Sequence, residues 1–251
     1  MRGTPRWRNS GERHPMAEGR WSGRGDRAEP VDLIVYGCGT QGRAIIEFLA
    51  ESGRYPRLCL TDDNRRLWGS SCFSIPVLPP RDAFADAAQP FVCAIGANGA
   101  RRETIVRLRD AGHLPIAVQH PSAVIAASAR VNAGSILMAR ALVNTEAHVS
   151  VGCLLNSGCV VEHHCDIGDF VHLGPGVLLG GGVRVGEGAF LGLGAIVLPG
   201  LSVGREAVVG AGAVVTHDVP PGFTVAGNPA RILRDRPPGE SPGFAGMAAG
   251  V

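Results

Sequence analysis

The sequence contains no lysine, few aromatic residues and no long apolar run. All 24 basic side chains are arginine, which indicates codon bias rather than a binding surface, and with 22 acidic residues they leave a net charge of +2. A charge so close to zero predicts neither a nucleic-acid partner nor a membrane partner. No stretch is long and apolar enough to cross a bilayer, and no signal peptide is apparent. We therefore expect a cytoplasmic protein.

The seven cysteines show no paired spacing of the kind that metal sites use, so we predict no metal. Three of them, Cys153, Cys159 and Cys165, follow one another at six-residue intervals, and packing inside a repeat explains that spacing. None of the seven is placed as a covalent nucleophile, and free thiols fit a reducing compartment.

The dominant pattern of the chain is an aliphatic residue at every sixth position. A mostly small residue stands four places after each, and glycine often follows the aliphatic residue directly. A helix has period 3.6 and an ordinary strand has period 2, whereas a parallel β-helix has period six. The aliphatic positions are Ile125, Val131, Leu137, Val143, Val149, Leu155, Val161, Ile167, Leu173, Leu179, Val185, Leu191, Val197, Val203, Val209 and Val215.

Each hexapeptide predicts one short flat strand and one turn. The aliphatic side chain is expected to point into a three-sided prism, and the small one to fit where the interior narrows. We expect the glycine after the aliphatic residue to supply the backbone angles of the turn. Three hexapeptides close a coil of roughly eighteen residues, so about five coils stack roughly 4.8 Å apart.

A strand–helix alternation precedes the repeat and contains a glycine-rich loop, Gly37–Gly42. In a βαβ unit such a loop lies at a helix N-terminus, where backbone N–H groups attract phosphate. Asp62 or Asp63 follows at the distance where these folds place an acid on the ribose. A purely structural turn is the alternative. The predicted elements are strands over 32–36, 58–60, 91–96 and 115–118 and helices over 43–53 and 102–111.

Polar side chains also follow the strand predicted over 91–96. Because ligands bind at the carboxyl ends of parallel strands, Asn98 is a candidate for a base or sugar and Arg101 for a phosphate. In the alternative interpretation, Asn98 caps the following helix and the Arg101–Arg102 pair is solvated.

One polar cluster inside the repeat is not required by the repeat itself. His163 and His164 stand at turn or outward positions, and three acidic residues lie within the same coil. Histidine suits general-base chemistry because its side chain titrates near neutral pH. Gly181 comes eighteen residues after His163, directly over it in the next coil, where its N–H can stabilise an oxyanion.

Residues 31–234 resemble one family, the hexapeptide-repeat sugar acyltransferases, typified by sialic acid O-acetyltransferase and the UDP-4-amino-sugar N-acetyltransferases. The resemblance is carried by the glycine-rich loop, the strand ending in Asp-Asp, Ala-Ile-Gly-x-Asn, His-Pro-Ser-Ala and Glu-His-x-Cys-x-Ile-Gly-Asp-Phe-x-His. It implies an α/β N-terminal Rossmann-like domain followed by a left-handed parallel β-helix, whose hand is an exception among parallel crossovers.

The resemblance also implies an activity: acetyl-CoA-dependent acetylation of an amino or hydroxyl group of a nucleotide-linked sugar in bacterial surface glycan biosynthesis. Transfer would be direct in a ternary complex, with no metal, and acetyl-CoA would lie between the prisms of a homotrimer. The implied catalytic residues are His163 as general base, His164 as its tuning residue and Gly181 as oxyanion donor. The implied acetyl-CoA contacts are His172, Leu193 and Ala211, and the substrate contacts are Gly37, Gly39, Thr40, Gln41, Gly42, Asp62, Asp63 and Asn98.

Two positions depart from the family pattern. The residue after the catalytic histidine is usually acidic, and His164 cannot supply a negative charge. Glu162, Asp166 and Asp169 are the candidates to replace that charge. The glycine-rich loop often ends Gly-His-Gly, whereas here it ends Thr40-Gln41-Gly42, which bears on the choice of sugar nucleotide.

Three other functions are weighed against acetyl transfer. A γ-type carbonic anhydrase needs three zinc-binding histidines, and His148, His163, His164 and His172 do not match its spacing. An NAD-dependent oxidoreductase needs a substrate domain that residues 31–120 leave no room for. A non-catalytic hexapeptide-repeat binding protein is the third.

The expected domain order has five parts. These are a disordered tail over 1–30, the Rossmann-like domain over 31–120, the β-helix over 121–217, an extension over 218–234 and a disordered tail over 235–251. For the arginine-rich first segment, a start at Met16 and a basic arm for an acidic partner are the alternatives.

Overall fold

A computed structural model describes residues 31–235, so the predicted tail over 1–30 and all but the first residue of the predicted tail over 235–251 lie outside the described residues. Asp235, which we predicted to begin the second tail, instead ends the last strand. None of the helices in residues 31–235 is long and apolar enough to span a bilayer.

The chain first forms a six-stranded sheet in the order β3-β4-β2-β1-β5-β6. All pairs are parallel except β3 with β4. Its elements are β1 (Leu33–Tyr36), α1 (Thr40–Glu51), β2 (Leu58–Thr61), a 3-10 turn (Arg65–Leu67), β3 (Ser71–Cys72), β4 (Ile75–Leu78), α2 (Pro80–Ala83), β5 (Pro90–Cys93), α3 (Asn98–Asp110) and β6 (Leu114–Pro115).

The loop between β1 and α1 folds back tightly on itself. Gly37 has φ +106°, and a Cβ atom on Gly42 would collide with the Gly37 carbonyl. Glycine is therefore required at both ends of this loop, because one end needs a left-handed backbone and the other a close backbone approach. Helix α1 starts at Thr40, inside the loop.

The remaining strands build a three-faced parallel β-helix, to which the last strand of the described residues is added antiparallel. Its faces are an eight-stranded, a six-stranded and a five-stranded sheet. The strands are β7 (Val118–Gln119), β8 (Val124–Ile125), β9 (Arg130–Val131), β10 (Ile136–Leu137), β11 (Leu142–Val143), β12 (His148–Val149), β13 (Leu154–Leu155), β14 (Val160–Val161), β15 (Asp166–Ile167), β16 (His172–Leu173), β17 (Leu178–Leu179), β18 (Arg184–Val185), β19 (Phe190–Leu191), β20 (Ile196–Val197), β21 (Ser202–Val203), β22 (Val208–Val209), β23 (Val214–Val215), β24 (Phe223–Ala226) and β25 (Arg231–Asp235).

The single strand that we predicted over 115–118 is wrong. Its first residue ends β6 in the N-terminal sheet, and its last residue begins β7, the first strand of the prism. The chain changes sheets between Pro115 and Val118, so one apolar run serves two different sheets.

The predicted coil of eighteen residues is confirmed by the strand register. Val143 pairs with Val161, and Val161 pairs with Leu179. These aliphatic side chains are at most 1% exposed and stack along the prism axis. Cys153 and Cys159 fill the small inward positions, where burial raises the pKa of each thiol to about 12. These cysteines are therefore unreactive packing residues.

The glycines after the aliphatic positions serve a different purpose from the one we predicted. A Cβ atom on Gly168 would lie 2.7 Å from the Glu187 nitrogen, and one on Gly192 would lie 2.7 Å from the Ala211 nitrogen. These glycines have ordinary φ angles, so close approach of the next coil excludes a side chain there. The left-handed angle of each turn belongs to a later residue, such as His164 with φ +59°.

The N-terminal domain covers the eight-stranded face of the prism. Ile136 and Leu154 of that face pack in one buried cluster with Leu33 and Val35 of β1. On the other side of the N-terminal sheet, Phe170 of the prism packs with Tyr36 and helix α3 residues. The two parts of residues 31–235 thus share continuous apolar cores.

Arg101 on α3 ties the two domains together from a fully buried position, with 0% exposure. Its Nε donates to the Gly152 carbonyl at 2.8 Å and one terminal nitrogen donates to the Phe170 carbonyl at 2.9 Å. The other terminal nitrogen donates to the Ile95 and Gly96 carbonyls. The predicted phosphate contact of Arg101 is therefore wrong, because the N–H groups of its guanidinium are bonded to carbonyls of both domains.

His172 on β16 is buried in the same contact and is 1% exposed. Its Nδ1 lies 3.1 Å from the Gly96 carbonyl oxygen, and since a carbonyl only accepts, Nδ1 carries the proton. Burial, with the nearby Arg101 charge as the smaller cause, lowers the pKa of His172 to about 3. The imidazole is therefore neutral at pH 7.

This burial predicts acid sensitivity. An unfolded histidine titrates near about 6.5, so below that pH only the unfolded chain takes up the proton, and each pH unit costs up to about 1.4 kcal/mol. The stability contribution is fully present above pH ~6.5 and is lost as pH falls toward the folded pKa of about 3. We expect the melting temperature of the protein to fall more steeply between pH 7 and pH 4 than that of His172→Asn.

Scanning fluorimetry across this pH range checks the expectation. His217→Asn, at an exposed histidine, is the matched control and should keep the wild-type slope. Parallel pH profiles for the wild type and His172→Asn would contradict the assigned role.

Candidate active site

His163 and His164 lie on the turn between β14 and β15, at the edge where the six-stranded and five-stranded faces meet. The Nδ1 atoms of the two rings are 2.9 Å apart, and the ring planes are nearly perpendicular, at 87°. Two imidazole nitrogens at this distance share one hydrogen, so one ring donates and the other accepts. The turn thus fixes both rings at an open edge of the prism.

Gly181 lies directly against the His163 ring in the next coil. A Cβ atom on Gly181 would be 2.6 Å from His163 Nε2. The two coils are linked at this point by a hydrogen bond from the Gly182 N–H to the His163 carbonyl. Within residues 31–235, no hydrogen bond engages either His163 Nε2 or the Gly181 N–H. The predicted stacking is therefore present, with His163 exposed and Gly181 half-buried.

Glu146 is the functional candidate that the sequence analysis missed. Its Oε2 lies 2.9 Å from His164 Nε2, and both side chains are 61% exposed. The spacing in the sequence indicates this contact: Glu146 precedes His164 by eighteen residues, one coil, and therefore lies beside it. We considered only acids close to His163 along the chain.

Those three acids are engaged elsewhere. Glu162 accepts from the Asn144 side chain at 2.9 Å and from the His163 backbone N–H at 3.3 Å. Asp166 lies 3.3 Å from His148 Nδ1, and Asp169 accepts from the Val151 N–H at 2.9 Å. None of these bonds reaches either ring of the histidine pair.

The three predicted acetyl-CoA contacts fall in two different environments. The His172 imidazole is buried beneath the N-terminal domain, so it is inaccessible to acetyl-CoA in this chain. Leu193 is 60% exposed and Ala211 is also exposed. They stand one coil apart, since Gly212 donates to the Leu193 carbonyl at 2.8 Å. Both lie at the edge between the eight-stranded and six-stranded faces, away from the edge that carries His163.

The predicted substrate residues gather at the carboxyl ends of β1 and β2. Gly39 and Thr40 are exposed, Gln41 is half-buried, and Gly37 and Gly42 are buried. Asp62 holds the loop in place, because its carboxylate accepts from the Cys38 N–H at 2.7 Å.

Asp63 is exposed and accepts a hydrogen bond from the Tyr36 hydroxyl. It borders a groove of about 450 Å³. The other residues that line this groove are Arg65, Trp68, Pro79, Pro80 and Arg81.

Asn98 is not available to a ligand. Its amide donates to the Gly188 and Ala189 carbonyls at 2.9 and 3.2 Å, and its oxygen accepts from Arg101. The predicted sugar contact is therefore wrong, and so is the capping alternative, because Ala97 is the N-cap of α3. Asn98 joins the helix to the prism instead.

No group of three or more histidine, cysteine, aspartate or glutamate side chains in residues 31–235 is arranged to hold a metal ion. The seven cysteines are free and buried. Cys165, two residues from His163, points inward and donates to the Gly180 carbonyl, and burial raises its pKa.

Two family models match the chain. The PglD N-terminal domain matches residues 32–108, and the hexapeptide repeat of succinyl-transferase matches residues 182–217. No curated protein sequence matches the chain.

Three solved structures are similar over most of their length. A variant of perosamine N-acetyltransferase from Caulobacter crescentus, in complex with CoA and GDP-perosamine, is 32% identical with a TM-score of 0.75, covering 81% of this chain and 97% of that chain. The acetyltransferase domain of PglB from Neisseria gonorrhoeae, in complex with acetyl coenzyme A, is 33% identical with a TM-score of 0.76, covering 82% and 100%. WeeI from Acinetobacter baumannii is 30% identical with a TM-score of 0.70, covering 80% and 99%.

These similarities extend over both domains. They confirm the predicted fold class, an α/β Rossmann-like domain followed by a left-handed parallel β-helix. The chain therefore belongs to the hexapeptide-repeat sugar acetyltransferases with a PglD-type N-terminal domain.

Proposed function

We propose that this chain transfers the acetyl group of acetyl-CoA to the amino group of a nucleotide-linked sugar. The observation that carries the proposal is the stack of the His163 ring on Gly181. It places an imidazole nitrogen of an exposed ring against the backbone of Gly181 at an edge of the prism. A general base and an oxyanion donor are the two groups that direct acyl transfer needs.

The proposed mechanism uses these two groups only. His163 Nε2 takes a proton from the sugar amine as the new N–C bond forms at the thioester carbonyl carbon. The Gly181 N–H donates to the oxygen that becomes negative. When the C–S bond breaks, the sulfur leaves as a thiolate and takes up a proton, so the products are the amide and the free thiol. No covalent enzyme intermediate is formed.

The choice of an amino acceptor rests on the relatives. One of them is named a perosamine N-acetyltransferase and was solved with GDP-perosamine. Two variants of that protein replace the same histidine, one by asparagine and one by alanine. We therefore place an amino sugar on a nucleoside diphosphate first among the acceptors. The acetyl-CoA donor and the free buried cysteines agree with a reaction in the cytoplasm.

We place the nucleotide in the groove beside Asp63. Arg65 and Arg81 supply positive charge for a diphosphate, and the Trp68 ring offers an apolar face for a base. The first turn of α1 begins at the neighbouring loop, where its N–H groups favour phosphate. The loop and the groove meet at Asp62 and Asp63.

The complete site needs more than one chain. The acceptor groove belongs to the domain that covers the eight-stranded face, whereas His163 lies at the opposite edge of the same prism. Leu193 and Ala211 occupy a third location, at a different edge. A base from one prism and binding residues from its neighbour form a heterologous contact, which closes into a ring. We infer a homotrimer with the site between neighbouring prisms.

The six-stranded face supports this assembly. The outward residues of its strands are all apolar, and the exposed ones include Leu178 at 42% and Val124 at 57%. The five-stranded face instead carries polar residues at the same positions, such as Arg184 and Ser202. A continuous apolar face beside a polar one marks a protein contact. The outward residues of the six-stranded face are Val124, Leu142, Val160, Leu178, Ile196 and Val214.

The first prediction of the proposed function concerns the base. His163→Ala should lower kcat by roughly 10²- to 10⁴-fold, because the amine loses its proton acceptor, while acetyl-CoA still binds. His164→Ala should lower kcat less. The assay follows thiol release from acetyl-CoA with a panel of nucleotide amino sugars and their hydroxyl counterparts.

His217→Ala, at an exposed histidine on another turn, should retain wild-type activity. If His164→Ala is the inactive enzyme and His163→Ala keeps most of its rate, the roles are reversed. A wild-type chain that is folded and inert toward the whole panel would favour the non-catalytic alternative.

The second prediction concerns the acceptor. Asp63→Asn removes a charge but keeps an oxygen for the Tyr36 hydroxyl. We expect a higher KM for the sugar nucleotide and an almost unchanged KM for acetyl-CoA, since the two substrates occupy different sites. Asp110→Asn is the control, because Asp110 pairs with Arg109 on the helix surface. Equal effects of Asp63→Asn on both KM values would argue against the assignment.

The third prediction concerns assembly. Light scattering should give a mass three times the chain mass of 26.1 kDa. Leu178→Asp places a charge on the apolar face and should yield monomers with little activity. Arg184→Asp introduces the same side chain on the polar face and should remain trimeric. A monomeric wild-type protein with full activity would refute the shared site.

A further inference from the structure

Glu146 and His164 occupy the same place in two successive coils. Both residues adopt the left-handed turn conformation, with φ +56° and +59°. The His164 N–H donates to the Thr145 carbonyl at 3.0 Å, which fixes the two turns against each other. The Ser128 hydroxyl accepts from the Glu146 N–H and supports that turn from the coil before. Their side chains therefore meet because the backbone stacks, although eighteen residues separate them.

Two close polar contacts lead from the Glu146 carboxylate to the His163 imidazole: an ion-pair contact between Glu146 and His164, and a hydrogen bond between the two rings. Glu146 Oε2 lies 2.9 Å from His164 Nε2, and His164 Nδ1 lies 2.9 Å from His163 Nδ1. An ionised carboxylate only accepts, so His164 Nε2 carries a proton. In the neutral form of the His164 ring, Nδ1 is then bare and accepts from the Nδ1–H of His163.

This order determines which nitrogen of His163 is free. With its proton held on Nδ1, His163 presents an unprotonated Nε2, the atom that stands against Gly181. The opposite tautomer would present a proton to the incoming amine and could not act as a base. The tautomer of a histidine is set by the hydrogen bond that its other nitrogen makes.

We propose that Glu146 is a positioning residue that acts through His164 to hold His163 in its base-competent tautomer. This inference rests on the proposed acetyl transfer. It also accounts for the missing acid: the negative charge that the resemblance leads us to expect directly after the base comes here from the preceding coil. Glu146 itself touches neither substrate.

The proton balance of the reaction is unchanged by this arrangement. The amine proton moves to Nε2, and His163 becomes an imidazolium whose Nδ1–H still points at His164. His164 keeps its Nε2 proton on Glu146 throughout, so no proton reaches the carboxylate. The carboxylate stabilises the positive charge through the intervening ring, until the thiolate leaves and the proton on Nε2 is released.

The kinetic test compares Glu146 with Asp166, two carboxylates that line the same surface groove. Glu146→Gln keeps a hydrogen-bond acceptor but removes the charge that stabilises the His163 imidazolium, and it should lower kcat about 10- to 100-fold, the range for replacing a residue that lies behind a functional histidine. The KM of each substrate should hardly change. Asp166→Asn is the control, because Asp166 pairs with His148 and not with the catalytic pair; it should keep the wild-type kcat.

A second variant background tests whether Glu146 acts through His164; we call this indirect action the relay. His164→Glu restores a carboxylate directly beside His163, so adding Glu146→Gln to it should cause no further fall in kcat. A merely structural role for Glu146 would lower activity to the same extent in both backgrounds, and that result would overturn the proposal.

The tautomer itself can be observed without any activity. In full-length protein labelled with ¹⁵N-histidine, the His163 signals, assigned by their loss in His163→Ala, should show a protonated Nδ1 and a bare Nε2. Glu146→Ala should shift this population toward the Nε2-protonated form. An unchanged tautomer, or a wild-type kcat in Glu146→Gln, overturns the relay. A protein that shows the tautomer shift but acetylates nothing would instead refute the proposed function.

Discussion

The eighteen-residue register is the constraint on which the rest of this structure depends. Each coil repeats the one before it, so every residue has a neighbour eighteen positions away along the axis. This forces aliphatic residues to stack in columns inside the prism. It also explains the glycines that follow them, because a side chain on Gly168 would enter the backbone of the next coil. The core and the turns therefore share the same eighteen-residue repeat along the prism axis.

The candidate site follows the same rule, since its functional pairs are vertical neighbours. His163 stands against Gly181, Glu146 against His164, and Leu193 against Ala211. The interior is closed and filled with aliphatic side chains, so polar groups can be displayed only on faces and edges. A site built on prism edges lacks a wall of its own. In the homotrimer that we propose, a neighbouring prism would supply that wall and would bring candidate residues from different edges into one site.

Period six was enough to predict the fold class, because neither a helix nor an ordinary strand produces it. The stacking of Gly181 over His163 followed from the same arithmetic. The contact between the domains was not predictable. Nothing local in the sequence distinguishes Arg101, which is 0% exposed, from Arg102, which pairs with Glu187 at the surface. Which side of α3 meets the prism is decided by tertiary packing, and burial of a charge follows from that packing.

Glu146 shows why a linear reading of the chain missed part of the site. We looked for the missing charge among residues close to His163 in sequence, and each of those acids has another partner. In a parallel β-helix, the residue one coil away is as close as a residue in the same turn. An acidic residue in the preceding coil can therefore replace one directly after the base, provided that a side chain with two nitrogens connects the carboxylate to the base. Histidine can bridge in this way because one nitrogen donates while the other accepts. His164 therefore conveys the charge rather than replacing it.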